Sequence, residues 1–201
     1  MTTATADRPP RADSQRNRAA ILDAALSCLA ANPRASMAEI AQSAGVGRVT
    51  LYGHFSSRTE LIEAAAAQTM HRAEARLAPL DLTGDPREAL ELLVTSSWRI
   101  VDDSRGIIAA AEAELGTDRV RDHHDESMHR VQRLIERGQA AGVFRTDQPV
   151  EWLTACYFAI VHGAAAEIRA GRLNETQAAA FLPATILALV TEPAERLPRA
   201  D

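Results

Sequence analysis

Arg48, Val49 and Thr50 stand together in the chain, with Ser36 twelve residues upstream and Arg16 and Arg18 further back. These residue types do no covalent chemistry, because no nucleophile has a base at a recognisable spacing. What they suit is docking onto a polyanion that also presents base edges. A guanidinium forks onto guanine O6 and N7 or clamps a phosphate, and both options stay open for Arg48. Val49 and the Thr50 methyl suit a thymine methyl, and Ser36 can donate to phosphate from a helix N-terminus. A second cluster invites a metal reading: His123, His124, Asp125, Glu126 and His129. Adjacent histidines diverge by about 100° on a helix, and Asp125/His129 is the only i, i+4 pair, so no metal is expected.

The elements that must position these groups are helices. Apolar residues make up 46% of the 201, charged residues 24% and aromatics only 4%, so a core of Leu, Ile, Val and Ala is expected. No stretch alternates with period two. The fold class is therefore all-α with about nine helices, an N-terminal helix-turn-helix domain followed by a C-terminal helical ligand-binding and dimerisation domain. Expected bounds are a flexible basic arm over 1–13, the DNA-reading domain over 14–60, the effector and dimer domain over 61–191, and a disordered tail over 192–201. Helices are expected over 14–31, 36–44, 48–54, 57–77, 86–103, 104–115, 118–141, 149–171 and 174–191, the last kinked at Pro183. Ser36–Glu39, Ser57–Glu60 and Asn174–Gln177 have the spacing of capping boxes.

Within 36–55, Ile40, Ala41 and Ala44 face inward, Gly45 supplies a positive φ for a tight turn, Val46 plugs it and Leu51 seats the next helix. Taken alone, this pattern fits a plain helical corner as well as a DNA-reading one. The continuation Thr50-Leu51-Tyr52-Gly53-His54-Phe55, then Ser57-Arg58-Thr59-Glu60-Leu61, separates the two. It resembles the recognition helix and following helix start of the TetR family of transcriptional regulators, in register over some 25 residues. The resemblance implies backbone contacts from Tyr52 and His54, a phosphate contact from Arg58, and a core role for Phe55. Gly47 and Val49 depart from the family's usual Ser and Gly, which bears on individual operator contacts rather than on the class.

The same resemblance implies a repressor that binds a palindromic operator as a homodimer and is released by a hydrophobic small molecule. Met70, Trp98, His124, Met128 and Phe158 are the expected effector-binding residues. Ala155, Ala159, Gly163 and Ala166 form a small-residue stripe on the penultimate helix, and Phe181, Ile186, Leu189 and Val190 lie on the last. Together these suit a four-helix dimer interface.

Charge is consistent with local rather than general affinity for DNA. The net charge is −5, yet residues 8–20 hold four arginines against one acid. Cys28 and Cys156 sit among small apolar residues and are expected to be buried free thiols. No apolar run approaches ~18 residues, and the N-terminus lacks an apolar signal segment. An enzyme, a cofactor and a membrane span are not expected, and the chain is read as cytoplasmic.

Overall fold

The computed structural model describes residues 10–116, 119 and 125–192. Among them are eight helices and no strand: α1 (Pro10–Ala31), α2 (Met37–Ser43), α3 (Arg48–His54), α4 (Arg58–Leu77), α5 (Pro86–Leu115), α6 (Asp125–Ala140), α7 (Val150–Arg169) and α8 (Glu175–Val190). His123, His124 and most of the expected arm and tail fall outside the described residues. Residues 10–13, expected in the arm, are instead the first turn of α1. A proline suits that place, because its missing N–H would have no partner in a first turn.

The described residues cluster into two compact units, one within Met1–Thr69 and Gly106–Val120, the other within Met70–Arg105 and Arg121–Asp201. In the first unit, Ile21, Ala25 and Leu29 of α1 meet Ile40 and Ala41 of α2, Leu51 of α3, Leu61, Ile62 and Ala65 of α4, and Ile107 and Ala111 of α5. In the second, Leu90, Leu93 and Trp98 of α5 pack with Val131 and Ile135 of α6, Leu153, Tyr157 and Val161 of α7, and Leu182, Ile186 and Val190 of α8. Helices α4 and α5 supply residues to both units.

The expected break at 103–104 is absent: α5 runs unbroken for 30 residues, about 45 Å. The polar run that suggests a break is satisfied inside the helix. Arg105 Nη1 pairs with Asp102 Oδ1 at 2.6 Å, and Arg76 Nη1 of α4 reaches Asp103 at 2.8 Å. Gly106 lies there for a packing reason. A Cβ on it would sit 2.7 Å from the Ala30 Cα and 2.8 Å from the Ala30 carbonyl oxygen, and closer still to the Leu29 carbonyl oxygen.

Those neighbours are α1 backbone, which cannot rotate aside. Gly106→Ala is therefore expected to lose stability even though Ala is the better helix former by ~1 kcal/mol. Overpacking of this kind costs ~1–3 kcal/mol, so a lowered urea midpoint is the expected net result. A raised midpoint would mean that α1 and α5 part freely.

Candidate nucleic-acid interface and internal cavity

The first unit builds a turn between two short helices from local signals. Ser36 caps α2: its Oγ accepts from the Glu39 N–H at 3.3 Å, while Glu39 Oε2 accepts from the Ser36 N–H at 2.6 Å and from its Oγ at 2.7 Å. The two Ser36 hydrogen bonds hold the Glu39 carboxyl below its usual range. The single Ser36 hydroxyl proton is thus committed to Glu39, and a phosphate would have to compete for it. Gly45 adopts φ +68°, and its N–H closes on the Gln42 carbonyl at 3.1 Å.

Helix α3 is held by two anchors, Leu51 and Phe55, both fully buried. Between them its outer face is left open. Val49 is 88% exposed and Tyr52 50% exposed, Arg48 is exposed, and Thr50 and His54 are half-buried. Arg48 has no carboxylate partner among the described residues. Gly47 caps α3 from extended backbone (φ −70°, ψ 154°) without a side-chain bond, so no side-chain cap satisfies the first-turn N–H groups. An open groove of about 600 Å³ brings Ser36, Arg48, Tyr52 and Arg58 together with Arg34.

Besides Ser36, three of the expected contacts have partners of their own. Arg58 turns inward: Nη2 donates to the Pro33 carbonyl at 3.1 Å, Nη1 donates to that of Ala35, and Nε lies 3.5 Å from Glu114 Oε2. Glu114 also accepts from Thr59 Oγ1 at 2.7 Å. Arg58 therefore ties the 33–35 loop to the start of α4, because three of its donors are already directed into protein. Arg18 stacks its guanidinium 4.9 Å over the Phe55 ring, and Arg16 pairs with Asp13 on α1. The second capping box forms one residue off the expected pattern. Ser57 Oγ accepts from the Glu60 N–H at 3.1 Å, but the Glu60 carboxylate turns back to Ser56, accepting from its N–H and its Oγ at 2.7 Å each.

The second unit encloses a cavity of about 40 Å³ lined by α4, α5, α6 and α7. Met70 and Phe158 are on its wall. Trp98 and Met128 are not: Trp98 is 3% exposed in the core beside it, and Met128 is half-buried elsewhere on α6. The wall's polar groups, Ser97, Ser127, Arg130, Tyr157 and His162, escaped the sequence reading. Glu74 accepts from Arg130 Nη2 at 2.6 Å and from the Ser127 hydroxyl. The buried Arg130 Nη1 has no hydrogen-bond partner among the described residues, and the buried Tyr157 hydroxyl has the Ser97 side chain as its one polar neighbour, too poorly aligned for a regular hydrogen bond. Burial pushes the Tyr157 phenol well above its ordinary range, so it stays protonated and able to donate. An unmade bond of this kind costs ~1–3 kcal/mol per group.

The expected dimer residues divide. Ala155, Ala159 and Gly163 are exposed on α7 and Phe181 is 57% exposed on α8, while Ala166 and Leu189 are half-buried. Ile186 and Val190 are fully buried inside the unit itself, in register with Ala178 and Leu182 along one face of α8. They belong to the protomer's own core and not to its surface. Trp152, 59% exposed, continues the α7 stripe and was missed. Among the described residues no helix is long and apolar enough to cross a membrane.

Residues 21–65 match the family model described as bacterial regulatory proteins, tetR family. The chain is 40% identical over 75 residues to the HTH-type transcriptional repressor LfrR of Mycolicibacterium smegmatis, covering 37% of this chain and 40% of that one. It is 34% identical over 96 residues to the HTH-type transcriptional regulator TtgW of Pseudomonas putida, covering 47% and 63%. The chain thus aligns with less than two thirds of the length of either relative. The solved structure of LfrR in complex with proflavine superposes with a TM-score of 0.67 at 23% identity, covering 89% of this chain and 98% of that one. At that identity the likeness concerns the fold.

Proposed function

We propose that the chain, whose residues 21–65 match the TetR family of bacterial regulatory proteins, is a transcriptional repressor of that family, released from a palindromic operator by a hydrophobic small molecule. The observation that carries the DNA-binding part is the division of α3: Leu51 and Phe55 buried, Arg48, Val49 and Tyr52 outward, and Arg48 unpaired among the described residues. A short helix fixed by its inner face and open on its outer one suits the major groove. Arg48, Val49 and Thr50 then reach base edges or the flanking phosphate. Tyr52, His54, Ser36, Arg16 and Arg18 contact the backbone around them. Arg58 acts on that surface by holding the 33–35 loop.

Two such heads are needed, since one reads only a few base pairs, and half-sites lie about one DNA turn (~34 Å) or a multiple apart. The exposed faces of α7 and α8 are the proposed homodimer contact. The cavity supports the release step. Drug-sized ligands occupy roughly 300–1,000 Å³, so a cavity of about 40 Å³ cannot take one without rearranging. Its walls include Met70 and Leu77 of α4 and Leu93 and Ile100 of α5, and these two helices also supply residues to the DNA-reading unit. A ligand shifts the equilibrium by its differential affinity for the open and closed states.

Selecting bound fragments from the source genome, then titrating small molecules against the complex, tests the proposal. One preferred fragment retained as salt rises, and released by a ligand, is the expected outcome; loss of all fragments together points to an unspecific DNA binder. Arg48→Ala is expected to weaken operator binding about 10–100-fold. Arg58→Ala should lower affinity while leaving the slope of affinity against salt unchanged. A slope reduced by about one in Arg58→Ala would return that residue to the phosphate.

A further inference from the structure

We infer that the cavity of the second unit is built for an uncharged, largely apolar molecule carrying a hydrogen-bond acceptor such as a carbonyl. The inference rests on the proposed reading of this cavity as the effector site. Its wall is mostly hydrocarbon, with Met70, Leu93, Ile100, Val131 and Phe158 among the lining residues. Among the lining residues are two buried donors without a well-formed acceptor, Arg130 Nη1, which has none, and the Tyr157 hydroxyl, which has only the Ser97 side chain beside it. Tyr157 is 1% exposed and the Arg130 side chain 13%. Neither group gains anything from a pure hydrocarbon, and both gain from an acceptor placed between the apolar walls.

Charge decides which acceptor. Arg130 already holds its counter-ion, since Glu74 accepts from Nη2 at 2.6 Å. That carboxylate is also engaged by the Ser127 hydroxyl, which fixes it in place. A ligand carboxylate would add a second negative charge beside Glu74 with one cation between them. A ligand ammonium would meet the guanidinium. A neutral acceptor takes the spare N–H and O–H and leaves the Arg130–Glu74 pair intact. His162 closes the lining on the α7 side, one turn beyond Phe158.

Four probes of similar size, each of which the cavity must open to admit, separate the possibilities: acetophenone, ethylbenzene, benzoate and benzylammonium, each titrated into the full-length protein and followed by NMR of the protein. Acetophenone is expected to bind about tenfold more tightly than ethylbenzene, the increment of a hydrogen bond to a buried unpaired donor, with the two ions weaker than either. Tyr157→Phe removes one hydroxyl with little change in volume. It should cut acetophenone binding several-fold, leave ethylbenzene unchanged and not lower the melting temperature of the free protein. Tightest binding by benzoate or benzylammonium, equal binding of ketone and hydrocarbon, or binding of none overturns the inference. Operator release is read separately. A protein that takes up acetophenone by this ranking, yet holds its operator against every ligand, defeats the induction reading and leaves this one standing.

Discussion

A Phe55→Ala protein is expected to lose ~3–5 kcal/mol of stability in the DNA-reading unit, and operator binding with it. The ring is fully buried at the residue that ends α3, and its N–H closes the last turn on the Leu51 carbonyl at 2.9 Å. Leu51 and Phe55 are the only fully buried residues between Gly45 and Leu61. Removing the larger one leaves a seven-residue helix with a single anchor. A helix that short has no stability of its own in water, so its geometry rests on tertiary packing. The ring is also the platform for the Arg18 guanidinium, whose stacking would be lost at the same time. Tyr52→Ala is the control. Half of Tyr52 is exposed and it anchors nothing, so its variant should unfold at the wild-type urea concentration while binding operator less tightly. Should Phe55→Ala bind operator with wild-type affinity, the link between the buried anchor and the reading surface is broken.

The reading unit was legible because its signals are local. The capping box at Ser36–Glu39 and the positive φ of Gly45 follow from chemistry within a few residues, and both form, as does the equally local box at Asn174–Gln177 in the second unit. What escaped the sequence depends on neighbours distant in the chain. Asp102, Asp103 and Gly106 look like a helix end, but Asp103 meets Arg76 of α4 and Gly106 meets the backbone of α1. The cavity's polar groups were hidden for a similar reason. Arg130 precedes the core residue Val131 and resembles a surface charge until Glu74 of another helix is placed against it. On α8 periodicity itself fails. The helix is apolar nearly all round, so spacing could not tell Ile186 and Val190, which face the protomer's core, from Phe181, Ala184 and Ala188, which face outward. Only the packing of α7 chooses between those faces.

That outward face motivates the second large effect. Trp152, Ala155, Ala159 and Gly163 on α7, with Phe181, Ala184 and Ala188 on α8, leave an apolar strip uncovered in one protomer. Small residues let helix backbones approach closely, and two exposed aromatic rings have the composition of interface anchors rather than of ordinary surface. Gly163 is the position to change. A Cβ there meets nothing within 4 Å, so Gly163→Arg is tolerated by the protomer and also replaces a poor helix former with a good one. In a closely packed two-helix contact the same side chain would drive a charge into apolar surface, and each change is made twice because a two-fold interface repeats it. We therefore expect dimer dissociation to rise by ~100-fold or more, the size seen when central interface positions are disrupted. Sedimentation should show a folded monomer of wild-type helicity. Operator affinity should fall in parallel, since a single head loses the second half-site. A variant that remains dimeric and binds operator normally would move the interface off this strip, and a variant that is dimeric but no longer binds would mean that the strip faces something other than a second copy.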